Sequence, residues 1–416
     1  MRFLSCLVVL LYCAAPAFAQ RSANLESFEI VWRTVRDRHP DPTLNGLDWQ
    51  AIHDSTRPRI AAAKSITEVR SILTDMLSKL GSSHYAIIPK ELYSSTDSPA
   101  QGTAGPDIDP VFVDGKAVVG KVEPDSAAAR AGIRQGMVIE SINGAPVDSM
   151  LKAGDSIASR RVVTKNLKGP AGEPVKLSVV DANGARKEIE VPREDPAAGK
   201  VIEFGNLPRS RLVFESRAIE GGIGYIRFNE FLDPVSIMPQ FEAAIGKFAK
   251  APGIILDLRG NPGGIGVMAM GIAGFFLDKP GLKLGEMKMR DTTLKFVIFP
   301  RATVYKGPLA LLVDSGSAST TEILAQGLQD LNRARVFGTT TAGAALPSDI
   351  IRLPNGDGFQ FAQASYTSDK GKVLEGNGVT PDVEVRQTQE AIAAGHDLVI
   401  EAAENWIRSQ KTPVGR

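Results

Sequence analysis

The chain has 416 residues, 43% of them hydrophobic, and its 48 Lys and Arg side chains are balanced by 47 Asp and Glu. That length exceeds one ordinary core and predicts two or three domains. The near-zero net charge leaves no electrostatic footprint for nucleic acid or for an anionic membrane surface, so neither is expected as a partner.

The N-terminus reads as an export signal. Arg2 supplies a positive start, Phe3 to Cys13 form a short apolar run, and Ala17-Phe18-Ala19 gives the small-x-small pattern of a cleavage site. The run is too short to span a bilayer and no later segment reaches about 18 unbroken apolar residues, so no stable membrane insertion is expected. Cleavage after Ala19 would leave a periplasmic or secreted chain. Both cysteines, Cys6 and Cys13, lie inside the signal. The remaining chain would then hold no thiol nucleophile, disulfide framework or cysteine-ligated zinc. Its four histidines, His39, His53, His84 and His396, lack metal-binding spacing. No metal or organic cofactor is expected.

Residues 20–104 read as a helical segment. Leu25, Phe28, Val31, Trp32 and Val35 share one helical face, and Trp49 to Ile60 is a second, weaker candidate. Ser65 with Glu68 makes a capping box ahead of the stripe Val69, Ile72, Leu73, Met76 and Leu80. Gly81 stops this helix, so Ser82, Ser83 and His84 follow a firm end.

Residues 105–195 change to short strands broken by Gly, Pro and Asp. Ala117–Val122 and Met137–Ile142 read as strands, Ser126–Ala131 as a short helix, and Asn143-Gly144 as a turn. The runs Val122 to Ala128, Ala131-Gly132-Ile133 and Gly136 to Gly144 resemble a PDZ domain of the bacterial protease type. Met137 stands where an Asp is usual, and Pro106-Asp107-Ile108-Asp109 lacks the glycine-rich carboxylate-binding pattern.

Residues 196–416 alternate apolar strands (Ile223–Phe228, Ile254–Leu258, Leu309–Val313, Val336–Gly338) with helices (Val235–Phe248, Met268–Phe276, Thr321–Leu331). Asn355-Gly356 turns a hairpin, and Val399–Ile407 is a closing helix. The weak linkers are Ser95–Gly105 and Pro192–Lys200.

Two turns at strand ends carry the candidate chemistry. Gly316-Ser317-Ala318-Ser319-Thr320-Thr321-Glu322 joins a strand to a helix, where free N–H groups and the helix dipole favour negative charge. Plain N-capping is the alternative reading of its serines. Asp257-Leu258-Arg259-Gly260-Asn261-Pro262-Gly263-Gly264 has the glycines that let successive N–H groups approach a ligand, although a simple turn would look the same. It lacks the Lys-Ser/Thr of a nucleotide loop.

The order of four motifs carries a resemblance. Ile223 to Phe228, Asp257 to Gly264, Gly316 to Glu322 and Gly376-Asn377-Gly378-Val379-Thr380-Pro381-Asp382 together resemble the C-terminal-processing (tail-specific) serine peptidase family. The resemblance implies an α/β chain with a ClpP/crotonase-like catalytic core, an N-terminal helical segment and a PDZ-like domain, acting on polypeptide substrates. By it Ser319 matches the catalytic serine, and the N–H groups of Thr320 and of Gly263 or Gly264 would hold the oxyanion.

The usual lysine base of that family has no counterpart, because its turn here reads Ala342-Gly343-Ala344-Ala345. Ser149-x-x-Lys152 fits another Ser-Lys spacing but lies in the PDZ-like region. Leu80-Gly81-Ser82-Ser83-His84 instead resembles the tricorn-like branch, which implies His84 as base, Ser83 as its orienting partner and Glu375 behind Ser83. His39, His53 and His396 are then structural. The rival readings are a non-catalytic relative carrying an apolar ligand or peptide and a non-peptidase enzyme of the crotonase fold.

Overall fold

The computed structural model describes residues 4–93, 104–122, 125–151, 156–195, 200–202, 204–207 and 210–410. The expected export signal falls outside the residues whose side chains are described, although its backbone from Leu4 continues into the first helix. Glu123, Pro124 and Lys152 of the sequence motifs, most of the first expected linker and residues 196–199 of the second also lie outside the described residues.

Helices α1 (Leu4–Arg38), α2 (Trp49–Ala62) and α3 (Ile66–Ser78) form the N-terminal bundle. The α3 stripe is buried as its 3.6-residue spacing requires, and the Ser65 hydroxyl accepts from Glu68 N–H at 3.1 Å. Gly81 takes φ +63°, the left-handed stop, and the chain then enters strand β1 (Ala86–Ile88). The Ser83-His84 turn is therefore fixed at both ends.

The next unit is a sheet ordered β2-β3-β4-β6-β7, built from β2 (Ile108–Val113), β3 (Lys116–Val122), β4 (Val138–Ile142), β6 (Pro174–Val180) and β7 (Arg186–Pro192). A short strand, β5 (Ala145–Pro146), pairs with β4. Helices α4 (Ala127–Arg130) and α5 (Ser156–Leu167) belong to the same unit, and Ala127, Ala128, Val163 and Leu167 join its own buried cluster.

After a hairpin of β8 (Lys200–Ile202) and β9 (Ser210–Leu212) comes the second six-stranded sheet, ordered β10-β11-β12-β15-β16-β20. Its members are β10 (Phe214–Ala218), β11 (Gly224–Phe228), β12 (Ile254–Asp257), β15 (Leu309–Val313), β16 (Arg335–Gly338) and β20 (Val383–Glu384). All pairs after the antiparallel β10–β11 are parallel.

The strands read as continuous apolar runs because both faces are covered. Ile254, Leu256, Leu309, Leu311 and Val313 pack with α6 (Pro234–Lys247), α7 (Gly266–Ala273) and α8 (Thr320–Asp330). Ile255, Ala310 and Leu312 pack on the other face with Val399, Ala403 and Ile407 of α10 (Leu398–Ser409).

A three-stranded sheet of β13 (Lys283–Lys288), β14 (Thr293–Val297) and β19 (Ser365–Ser368) has no counterpart in the sequence reading. It lies on α8, where a Cβ on Gly327 would come within 2.5 Å of the Leu284 side chain. The hairpin of β17 (Ser348–Arg352) and β18 (Gly358–Ala362) turns at Asn355-Gly356 as expected. It packs on the N-terminal bundle through Leu353, Phe359 and Phe361, and β18 pairs with β1. Buried Asp357 accepts from Arg70 Nη2 at 2.6 Å and from Lys90 N–H at 2.9 Å, tying both flanks of the Ser83-His84 turn to that hairpin. Finally, Ile392 of α9 (Gln389–Ala393) buries itself with Val113 and Val118 and holds the β2–β7 sheet against the rest of the chain.

Candidate active site

β12 and β15 are neighbouring parallel strands, with Asp257 opposite Leu312, so the turns leaving their C-terminal ends meet. Open parallel sheets place their sites at such ends. The contact is close. A Cβ on Gly263 would lie 2.7 Å from Ala318 O, 2.8 Å from Ser319 Cβ and 2.8 Å from Thr320 N. Only glycine fits there, and Gly263 also holds φ +94°.

The serines of the second turn separate by geometry. Ser317 is fully buried, and its hydroxyl donates to Leu258 O at 2.9 Å while accepting from Asp314 N–H at 3.0 Å. It is a tie between the two turns. Ser319 is half-buried at the N-cap of α8 with φ 56° and ψ −120°, a conformation that a non-glycine residue adopts only when its surroundings impose it. Its N–H donates to Glu322 Oε2 at 2.9 Å and to Ala344 O at 2.8 Å.

Glu322 is the functional-site residue that sequence reasoning passed over, although it closes the quoted motif. It is fully buried. Burial raises its carboxyl above the ordinary range, against the pull of hydrogen bonds from Thr341, Gly343, Ser319 and Ala344.

The two candidate glycines also separate. Gly263 N–H donates to Asn261 Oδ1 at 2.9 Å and is occupied. Among the described residues, Gly264 N–H and Thr320 N–H donate to no protein acceptor. The Thr320 hydroxyl donates to Gly264 O at 2.8 Å and fixes the two peptide units against each other.

Behind the first turn, Arg259 forks onto Asp257 (2.6 Å) and Asp397 (2.8 Å), joining the turn to the start of α10. Burial alone would raise the Asp257 carboxyl, but the Arg259 guanidinium beside it, with Arg227, brings it down to about 2.

The histidine side is a directed chain. Glu375 Oε1 accepts from Ser83 N–H at 2.7 Å, and its Oε2 accepts from the Ser83 hydroxyl at 2.8 Å. The hydroxyl lies 2.7 Å from His84 Nδ1. Because the carboxylate takes the hydroxyl proton, the Ser83 oxygen is left to accept, and Nδ1 must carry the ring proton. In the neutral ring Nε2 is then the unprotonated nitrogen. His84 itself holds φ 61°, as Ser319 holds 56°.

Lys372 does not claim Glu375, because its Nζ lies 3.9 Å from the Asp330 carboxylate. Tyr85, next in the chain, has its phenol pushed up by burial, so it stays protonated. The other histidines are engaged elsewhere: His39 stacks on Tyr85, His53 pairs with Glu29 and Asp54, and His396 pairs with Glu401.

Residues 342–345 connect the two halves. Ala344 O receives Ser319 N–H, and Ala345 N–H donates to Glu375 Oε2 at 3.0 Å. The alanines that stand in the lysine position thus act through their backbone. Among the described residues no group of His, Cys, Asp and Glu could hold a metal ion.

A parallel α/β core whose strand ends bring an uncapped N–H pair beside a helix-start serine is the framework of a serine-type peptidase. Residues 222–385 match the pattern of peptidase family S41, residues 22–78 match the tricorn protease C1 domain, and residues 118–165 match a PDZ domain. The chain is 28% identical over 373 residues to carboxyl-terminal-processing peptidase 3, chloroplastic, of Arabidopsis thaliana, covering 85% of this chain and 67% of that one. It is 27% identical over 287 residues to the carboxy-terminal-processing protease of Bartonella bacilliformis, covering 67% of this chain and 61% of the relative. The fold is similar to that of mature CPAF, with a TM-score of 0.64 at 15% identity over 94% of this chain and 97% of that one.

Proposed function

We propose that this chain is an exported serine endopeptidase with Ser319 as nucleophile and His84 as general base. The observation that carries the reading is the directed chain Glu375–Ser83–His84, which fixes the tautomer a base requires. Ser319 Oγ attacks the scissile carbonyl carbon as His84 Nε2 takes its proton. The oxyanion is held by the N–H groups of Gly264 and Thr320, with Gly263 serving to admit the close approach rather than to donate. His84 then returns the proton to the leaving amine as the C–N bond breaks, leaving an ester on Ser319. Water, deprotonated by His84, hydrolyses that ester.

Ser83 is an uncharged acceptor and Glu375 supplies the negative charge that the imidazolium needs. A carrier of apolar ligands would have no use for this arrangement. Polypeptides are the substrates this chemistry fits. Export rests on the pattern of residues 1–19, and no described helix is long and apolar enough to cross a membrane. Mass spectrometry of the exported chain should find Gln20 at its N-terminus, and a chain starting at Met1 would contradict export.

A fluorophosphonate should label the protein once, and peptide mapping should place the label on Ser319. A label on Ser317 or Ser315, or none at all, would refute the nucleophile.

A further inference from the structure

The Glu322 carboxylate is acceptor-only and has about four lone-pair sites, and four donors fill them. Thr341 Oγ1 (2.6 Å) and Gly343 N–H (2.8 Å) meet Oε1, while Ser319 N–H (2.9 Å) and Ala344 N–H (3.0 Å) meet Oε2. The Thr341 hydroxyl already accepts from Val379 N–H at 2.6 Å, so its proton points at Glu322.

The same short segment then reaches the other half of the site. Ala344 O accepts the Ser319 N–H, and one residue on, Ala345 N–H donates to Glu375 Oε2, the oxygen that holds the Ser83 hydroxyl. Residues 343–345 therefore form a strip with a carboxylate at each end, buried Glu322 at one and half-buried Glu375 at the other. Glu322 lies under the serine and Glu375 lies behind the histidine. Gly376 N–H adds a bond to Gly343 O at 2.8 Å, closing the strip on the segment that carries Glu375.

We propose that Glu322 is a positioning residue for catalysis, setting Ser319 against the Ser83-His84 relay through the backbone of residues 343–345. The proposal rests on Ser319 being the nucleophile. Its physical basis is the absence of slack. An amide in place of the carboxylate has one acceptor oxygen, and its NH2 would face two of the four donors with nothing to offer them. The strip must move to relieve that conflict, and it cannot move without carrying both the Ala344 carbonyl and the Ala345 N–H. A displacement of about 1 Å between reacting groups can cost on the order of a hundredfold in rate. Ordinary capping of α8 would predict a different result, a loss of stability with the chemistry untouched.

The test compares wild type, Glu322→Gln and Thr341→Val for fluorophosphonate labelling rate, kcat and KM on a peptide ester, with thermal unfolding of each. Glu322→Gln should be labelled about a hundredfold more slowly, with kcat falling in proportion and KM within about twofold. Thr341→Val removes one donor and should lose about tenfold in kcat in the same pattern. A folded Glu322→Gln with wild-type labelling and kcat, or with its loss confined to KM, would overturn the proposal. If Glu322→Gln does not fold, Thr341→Val decides, and an unchanged kcat overturns it. Absence of Ser319 labelling in the wild type would instead overturn the nucleophile and this proposal together, so the two failures are distinguishable.

Discussion

Ser83 and Glu375, 292 residues apart, are joined twice: the backbone N–H of Ser83 meets one carboxylate oxygen at 2.7 Å and its hydroxyl meets the other at 2.8 Å. A residue held at both its backbone and its side chain cannot rotate its hydroxyl away. The orientation of the His84 ring is thereby tied, through Ser83, to the Glu375 carboxylate.

This double attachment predicts non-additive losses. Glu375→Gln should lower kcat by about tenfold to a hundredfold, less than the ~2.7–4 kcal/mol typical of a lost oxyanion donor, because it acts one residue removed from the base. Ser83→Ala should cost a similar amount, and the double variant little more than either alone. Steady-state turnover of all three checks this, and independent, multiplying losses would show that the relay does not act as a unit.

Gly263 tests the meeting of the two turns. Gly263→Ala puts a methyl 2.8 Å from Ser319 Cβ and Thr320 N at a backbone φ of +94°, so the helix start must shift. Activity should fall by about a hundredfold to a thousandfold, as when one oxyanion donor is lost, and stability by about 1–3 kcal/mol. Labelling kinetics beside denaturant unfolding separate the two effects, and wild-type labelling would mean the turn is not part of the oxyanion pocket.

How much of this was legible in the chain follows a physical divide. Local periodicity sufficed for the α3 stripe, its Gly81 stop and strand Leu309–Val313, whose bounds agree with β15. It did not reveal β13, β14 and β19. Lys283–Lys288 begins and ends in a charge and shows no clean alternation, and its burial comes from α8, about forty residues further on. Within the PDZ-like region, Ser156–Leu167 forms a helix although its apolar residues make only a weak stripe. Ser319, Ser83, His84 and Glu375 were named by resemblance rather than by pattern, since no local spacing relates residues so distant. Glu322 stands in the sequence only as the last residue of the helix-start motif, because three of its four donors come from residues 341–344. The choice between Gly263 and Gly264 needed the Asn261 side chain, which occupies one N–H and leaves the other.

Acid should expose the pair behind the first turn. With a folded value of about 2 against an ordinary value of about 3.9, Asp257 contributes stability that is present above pH 4 and lost as pH falls through about 2. The contribution is roughly 2 kcal/mol. Glu322 works in the opposite sense, because burial raises it and its ionisation costs stability as pH climbs above its ordinary range. Unfolding free energies of wild type and Asp257→Asn between pH 2 and 6 should therefore converge toward pH 2. A gap of constant size across that range would contradict the assignment.

The central claim is that Ser319 and His84 form one catalytic unit, and the turnover of His84→Ala, Ser319→Ala and the double variant on one activated ester tests it directly. Each single change should lower kcat on the order of ten-thousandfold or more while thermal unfolding stays close to wild type, and the double variant should be no slower than Ser319→Ala alone. Near-wild-type turnover in His84→Ala, or a double variant slower by the product of the two single losses, would contradict the account.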